Sequence, residues 1–196
     1  MKTRSTLIGI LAIALFLASC SSKREVTRID PNTQIDLSGR WNDTDSKLVA
    51  EEMIGDVLSK PWLVRFETAN SARPVVIIGD VVNRSHEHIS AETFIKDIER
   101  AFINSGKVRV VENAQFREKL REELESQQTY ASEETRKQLA KELGADFIMF
   151  GTINSTVDEL GKEKVVNYKT NLEMVDLQST EKVWIGDKEI KKYIKN

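Results

Sequence analysis

The feature that most constrains the fold of this chain is a continuous apolar run, Val75-Val76-Ile77-Ile78-Gly79-Asp80-Val81-Val82. β-Branched residues favour extended backbone, and a run without alternation is typical of a strand that is covered on both faces. Such a strand needs a packing layer on each side. The run therefore predicts a domain that combines helices with a sheet.

A helical pattern precedes this strand. Asp43 or Thr44 can cap a helix that extends to about Ser59, and Pro61 is expected to stop it. Residues 62–66, which include two aromatic side chains, are expected to form a packing connector. The predicted apolar face of the helix consists of Val49, Ala50, Met53, Ile54, Val57 and Leu58.

Helices and short strands also follow the run. Ser90 caps a predicted helix that extends to Ser105, and Gly106 ends it. Its apolar stripe consists of Phe94, Ile95, Ile98 and Phe102. The pattern then predicts a strand at 108–111, helices at 113–126 and 132–143, and a strand at 147–153.

The last part of the chain alternates strictly from Val165 to Leu177. Tyr168, Thr170, Leu172 and Met174 occupy one side of this pattern, and Asn167, Lys169, Asn171 and Glu173 occupy the other. A turn at residues 178–181 leads into a strand at 183–185. Alternation indicates a sheet with one face on helices and one toward water. The predicted fold class is α/β, a single sandwich of helices on a mixed, largely antiparallel sheet.

The N-terminus carries the pattern of an export signal. Lys2 and Arg4 precede an apolar run at residues 7–18, which as a helix is about 18 Å long. A bilayer core is about 30 Å thick, so this run is too short for a stable membrane span. It ends in Leu17-Ala18-Ser19-Cys20, which resembles the bacterial lipobox and contains the only Cys of the chain.

This resemblance implies that the thiol of Cys20 receives a diacylglycerol, that the chain is cut before it, and that the new amine is then acylated. Cys20 is thus the predicted lipidation site, Leu17, Ala18 and Ser19 are the predicted lipobox residues, and residues 1–19 are the predicted signal peptide. Two or more acyl chains hold a protein stably on a bilayer. Ser21 resembles the outer-membrane class in lipoprotein sorting, so the expected location is the outer membrane, facing the periplasm.

Residues 20–43 are polar and lack a period, so they are predicted to form a lipidated, flexible tether. Fully extended, the part after Cys20 reaches about 76–83 Å. Residues 44–196 are predicted to form one globular domain, with a helical lead-in at 44–66 and a core at 74–190. The 29 basic and 31 acidic residues nearly balance, which gives no electrostatic case for nucleic-acid binding.

His86 and His88 bracket Glu87 in the loop after the apolar run, and an extended loop could present both His to a metal. They are the only two His of the chain, and no Cys besides Cys20 is left to complete a ligand set. The sequence contains neither a phosphate-binding loop nor a nucleophile elbow. We predict no catalytic residue, no metal and no cofactor other than the lipid on Cys20.

The segment Asn83-Arg84-Ser85 is the predicted partner-binding surface. It lies where a buried strand ends, and Arg is favoured at protein interfaces. The alternative is a turn in which Asn83 and Ser85 bond their own backbone.

Several segments together resemble the LpoB family of penicillin-binding-protein activators over residues 74–190. They are residues 75–85, Asn104-Ser105-Gly106-Lys107-Val108, Val110-Val111-Glu112, Leu143-Gly144-Ala145-Asp146-Phe147, Phe150-Gly151 and the late hairpin. The resemblance implies a fold similar to the N-terminal domain of TolB. It also implies a non-enzymatic, monomeric lipoprotein that docks on a class A penicillin-binding protein, a bifunctional peptidoglycan synthase, and stimulates it.

A second family shares the lipobox, the Asn-Arg-Ser turn and the Gly-Ala-Asp signature. This is CsgG, whose members are lipoprotein subunits of an outer-membrane secretion assembly. A channel subunit must insert strands of about 9–11 residues with alternating lipid-facing positions. The only strong alternation here is at residues 165–177, whose apolar face is expected to pack on the domain. The channel subunit is therefore the alternative prediction.

Overall fold

The structure is a computed structural model that describes residues 25–30, 33–111 and 144–195. The lipobox, Cys20 and the helices predicted at 113–126 and 132–143 lie outside the described residues. Contacts divide the chain into two units, Met1–Thr33 and Gln34–Asn196. The described residues of the first unit are exposed and form neither helix nor strand.

The described part of the second unit folds into helices packed on a sheet. Its elements are α1 (Asp43–Leu58), α2 (Pro61–Asn70), β1 (Val75–Arg84), α3 (Ala91–Ser105), β2 (Arg109–Val110), β3 (Phe147–Leu160), β4 (Glu163–Asp176) and β5 (Lys182–Lys195). Within the described ranges, no helix is long and apolar enough to cross a bilayer.

The sheet has the strand order β2-β1-β3-β4-β5. β1 is parallel to β2 and to β3, whereas β4 is antiparallel to both β3 and β5. The antiparallel strands have 14 residues each, and β2 has only 2. The predicted fold class, helices on a mixed and largely antiparallel sheet, is confirmed.

The core lies on both faces of β1, as the continuous apolar run predicts. Val76, Ile78 and Val81 belong to the larger cluster, which also contains the buried faces of α1 and α3. Val75 and Ile77 belong to a second cluster on the opposite face. We call this opposite side of the sheet the outer face. On β4, the predicted inward positions are buried and the alternate polar positions are half-buried, so the predicted alternation is confirmed.

The residue that caps α1 differs from the predicted ones. The cap is Asn42, not Asp43 or Thr44. Its side-chain oxygen accepts from the backbone N–H of Asp45 at 3.1 Å, and the Asp45 carboxylate accepts from the backbone N–H of Asn42 at 2.9 Å. This reciprocal pair is a capping box that satisfies two backbone donors. Asn42 differs from the predicted cap because the prediction assigns this residue to the tether.

The predicted connector at 62–66 is wrong, because these residues belong to helix α2. Pro61 ends α1 but also occupies the first turn of α2, where a proline lacks only an N–H that the helix would leave unpaired. The aromatic residues do pack as expected. The rings of Trp62 and Phe66 lie edge-on to Phe147 at 5.0 and 5.4 Å between centroids.

Three strands are longer than predicted. β1 includes Asn83 and Arg84, which pair with Ile153 and Asn154 of β3, so these two residues are not in a turn. β3 extends to Leu160 and β5 extends to Lys195. Their added residues are mostly polar or charged, and the apolar ones among them, such as Val157 of β3 and Ile190 of β5, are isolated. They are strand because the antiparallel ladder pairs their backbone groups whatever their side chains.

Gly151 marks a close approach between β3 and β4. A methyl group on its Cα would overlap the backbone carbonyl oxygen of Asn171 and press on Leu172. Gly55, in α1, has open space at the same position. The two glycines therefore form a matched pair for substitution.

We expect Gly151→Ala to lower the free energy of unfolding by about 1–3 kcal/mol, because overpacking must displace backbone. Gly55→Ala should raise it by about 0.5–1 kcal/mol, since alanine is the better helix former. Urea unfolding followed by circular dichroism measures both values. A stabilised Gly151→Ala protein would contradict the close approach of β3 and β4.

Candidate functional site

The candidate site is the segment of residues 83–89, which we call the Asn83 loop. It consists of the last two residues of β1 and the loop that leads from them into α3. Glu87 is half-buried, Ile89 is 6% exposed, and Arg84, His86 and His88 are exposed. Contacts within the loop, to β3, to β4 and to the segment before α1 determine its shape.

The side chain of Asn83 is hydrogen-bonded to other groups of the loop. Its Nδ2 donates to the carbonyl oxygen of Glu87 at 2.8 Å, and its Oδ1 accepts from the backbone N–H of Ser85 at 2.9 Å and from the Ser85 hydroxyl at 2.7 Å. Asparagine is well suited to such local bonding. Asn83 and Ser85 are thus engaged with the loop's own groups, as in the alternative that the sequence left open.

Arg84 differs from its two neighbours. It pairs in register with Asn154, on the outer face, and within the described residues its guanidinium has no hydrogen bond or ion pair. An exposed arginine on a backbone fixed by its neighbours presents up to five donors to a binding partner. Of the three predicted partner-binding residues, Arg84 is the one whose side chain is available.

The His residues do not converge with Glu87. The backbone N–H of His86 donates to the Ser155 hydroxyl at 3.1 Å, and its ring Nδ1 lies 3.2 Å from the same oxygen. Among the residues that the structure describes, no group of three or more His, Cys, Asp or Glu side chains is arranged to hold a metal ion.

Glu87 instead joins the loop to two other parts of the domain. Its Oε1 accepts from the hydroxyl of Tyr168 at 2.7 Å, and its Oε2 accepts from the backbone N–H of Trp41 at 3.1 Å. Tyr168 is fully buried in β4. Burial raises the pKa of its hydroxyl well above the ordinary value, and the bond to Glu87 and its charge raise it further. The hydroxyl is therefore a stable neutral donor.

Trp41 belongs to residues 34–42, which we call the strap. Its ring is edge-on to Tyr168 at 5.6 Å and to Phe94 of α3 at 6.4 Å, and its Nε1 donates to Ser46 at 2.7 Å. The ring therefore lies between the helices and the sheet. The predicted tether extended to Asp43, but the structure places its last part against the domain.

A buried ammonium holds the other end of the strap. Lys192 of β5 is 9% exposed and donates to Asp36 and Asp45 carboxylate oxygens, both at 2.6 Å, and to the Arg40 carbonyl at 2.9 Å. An ammonium has three donors, so each finds an acceptor. Burial lowers the pKa of Lys192, but the hydrogen bonds to Asp36 and Asp45 outweigh this effect and the pKa is raised.

Sequence reasoning missed Trp41, Tyr168 and Lys192 as functional positions. Trp41 is a single aromatic residue at the end of a polar segment, and Tyr168 read as one of several core residues. Lys192 carries a detectable signal, because it lies between Ile190 and Ile194 at the spacing of inward-facing strand positions. The sequence did not reveal that the acceptors for this cation come from a segment about 150 residues earlier in the chain.

Comparison with known proteins gives the following matches. A sequence profile of the family described as "Peptidoglycan-synthase activator LpoB" matches residues 45–190. The chain is similar to the LpoB C-terminal domain from Escherichia coli, with 17% identity and a TM-score of 0.54 over 74% of this chain and 98% of that one. It is also similar to the LpoB C-terminal domain from Salmonella enterica, with 15% identity and a TM-score of 0.48 over 74% and 98%. No curated protein sequence matches significantly.

The Tyr168–Glu87 contact predicts a specific pH dependence. Because the pKa of Tyr168 is raised in the folded protein, this residue contributes stability that is complete below its ordinary pKa of about 10 and is lost as the pH rises further. Tyr168→Phe keeps the ring and removes the titration. We expect the difference in unfolding free energy between the two proteins to be constant from about pH 7 to 9. Above pH 10 the wild type should lose stability relative to Tyr168→Phe, by at most about 1.4 kcal/mol per pH unit.

Urea unfolding at a series of pH values measures this difference, and the remaining tyrosines serve as an internal control because both proteins contain them. An equal alkaline loss of stability in both proteins would contradict the assigned environment of Tyr168.

Proposed function

Because this chain belongs to the LpoB family of peptidoglycan-synthase activators, we propose that it binds a class A penicillin-binding protein and raises its activity. The observation that carries this proposal is the extent of the family match, which begins in α1 and ends in β5. The proposed role is regulatory. An activator of this kind acts by binding the competent state of its partner more tightly than the inactive state.

The Asn83 loop is the proposed docking surface. Asn83 and Ser85 hold the backbone through short bonds within the loop, and Arg84 extends from it into solvent on the outer face. A side chain on a fixed backbone loses less conformational freedom when it binds than one on a loose loop. Arginine is also among the residues that contribute most at protein interfaces.

The proposed anchor is the lipid on Cys20, in the outer membrane and facing the periplasm. Since the strap is bonded to the domain from Asp36 onward, only the chain between Cys20 and Asp36 can span from lipid to domain. Fully extended, these residues reach at most about 53–58 Å. The synthase must therefore present its docking site within that distance of the anchoring leaflet, plus the size of the domain itself.

The alternative, a CsgG-like subunit of a secretion assembly, receives less support. Its strands would have to leave the domain to line a channel. Here β4 is paired along its whole length by β3 and along nearly all of it by β5, and its inward side chains form part of the core. We therefore favour a monomeric binding module over a channel subunit.

The substitution Cys20→Ser tests the lipid anchor. Without the thiol, no diacylglycerol can be attached, and the protein should no longer fractionate with outer membranes or incorporate labelled palmitate. Ser22→Ala, two residues away, is the matched control and should behave like the wild type. Membrane fractionation of Cys20→Ser identical to that of the wild type would contradict a lipid anchor.

Arg84→Glu tests the docking surface. We expect it to weaken binding to the organism's class A penicillin-binding proteins at least tenfold, or about 1.4 kcal/mol, because a charge is reversed at the contact. Lys107→Glu makes the same charge change at an exposed site near the opposite end of β1. Binding is measured by surface plasmon resonance, and activation by the rate of glycan polymerisation. Equal losses from both variants would indicate a general charge effect and contradict docking at Arg84.

A further inference from the structure

Among the described residues of the Asn83 loop, Glu87 is the one that is hydrogen-bonded to both the strap and β4. Its carboxylate oxygens accept from the Tyr168 hydroxyl at 2.7 Å and from the Trp41 backbone N–H at 3.1 Å. Hydrogen bonds to an ionised carboxylate are stronger than those between neutral groups. The phenol is fully buried, so these contacts are only partly weakened by solvent.

The backbone of the same residue organises the loop. The carbonyl oxygen of Glu87 accepts from Asn83 Nδ2 at 2.8 Å and from the backbone N–H of Ile89 at 3.1 Å, and the backbone N–H of Glu87 donates to the Ser85 hydroxyl oxygen at 3.2 Å. Asn83 and Ser85 flank Arg84 directly. A displacement of residue 87 therefore moves the backbone groups to which the residues on both sides of Arg84 are bonded.

The strap side of this link is also well fixed. The Trp41 ring packs on Phe94 and Tyr168, and its Nε1 is bonded to Ser46, so its backbone N–H has a defined position. Lys192 holds the strap independently at Asp36 and Arg40. The strap is the direct continuation of the segment that leads back to Cys20.

From these contacts we infer that Glu87 is a positioning residue that couples the strap, and hence the lipid tether, to the loop that presents Arg84. The inference rests on the proposed function for the meaning of Arg84, but the coupling itself is a property of the free protein. While the strap is bonded to its own domain, the Asn83 loop is held in one conformation. When the strap detaches, Glu87 loses one of its two partners and the order of residues 83–85 falls.

Hydrogen–deuterium exchange of the loop amides in the free, mature full-length protein tests the coupling. The N–H groups of Ser85, His86 and Ile89 are hydrogen-bonded and report on loop order. Trp41→Ala perturbs the strap without changing the loop sequence, and we expect it to accelerate exchange at these amides about fivefold or more. In the background of Glu87→Gln, which can offer only one of the two acceptors, the same change should have at most a twofold effect.

Asp56→Asn is the matched control. Asp56 accepts from Trp184 Nε1 at 2.9 Å, a part-buried bond that involves neither the strap nor the loop. This substitution should lower the global stability, and it should accelerate amide exchange in the loop no more than in the rest of the domain. Two results would overturn the coupling. One is that Asp56→Asn accelerates amide exchange in the loop as much as Trp41→Ala does. The other is that Trp41→Ala has the same effect on exchange in the wild-type and in the Glu87→Gln background.

The failure of this inference is distinguishable from that of the proposed function. If Arg84→Glu abolishes synthase binding but Trp41→Ala leaves the loop amides unchanged, the coupling is wrong and the docking surface stands. If the loop amides respond as expected but Arg84→Glu binds the synthase normally, the coupling is supported and the docking role of Arg84 is wrong.

Discussion

The rest of the structure depends on the pairing of β4, which has β3 on one edge and β5 on the other. Because side chains alternate along a strand, this pairing places Tyr168 and Leu172 in the core and leaves their neighbours on the outer face. It also brings Lys192 of β5 to the inner side, beneath the strap. A one-residue slip in register would reverse all of these positions.

Two of the polar side chains that this pairing buries, Lys192 and Tyr168, find partners in distant parts of the chain. Lys192 finds acceptors at Asp36, Arg40 and Asp45, and the Tyr168 hydroxyl finds one at Glu87. A buried charge without partners is strongly unfavourable, so the strap is part of the folded domain. The last part of the segment that the sequence assigns to a tether therefore also completes the core and contacts the proposed docking loop.

Helices α1 and α3 and the strands β1 and β4 could be predicted because their signals are local. Ser90 caps α3 and the Gly106 backbone, at φ 67°, ends it, as predicted. The apolar run of β1 is covered on both faces. The errors have local causes as well. Pro61 predicts a helix stop but also suits a first helical turn, and the apolar residues near the ends of β3 and β5 are interspersed with charged ones.

The sequence by itself determined helices α1 and α3, the apolar strand β1, the alternation of β4, the family resemblance and the prediction of a lipidated Cys20. These depend on residues that are neighbours in the chain or on a pattern of fixed spacing. Only the tertiary structure decided that Arg84 is the available member of its triplet, and that Glu87 contacts Trp41 and Tyr168 rather than the adjacent His residues. Those outcomes depend on hydrogen bonds between groups far apart in sequence, and no local pattern specifies which distant donor will meet a given acceptor.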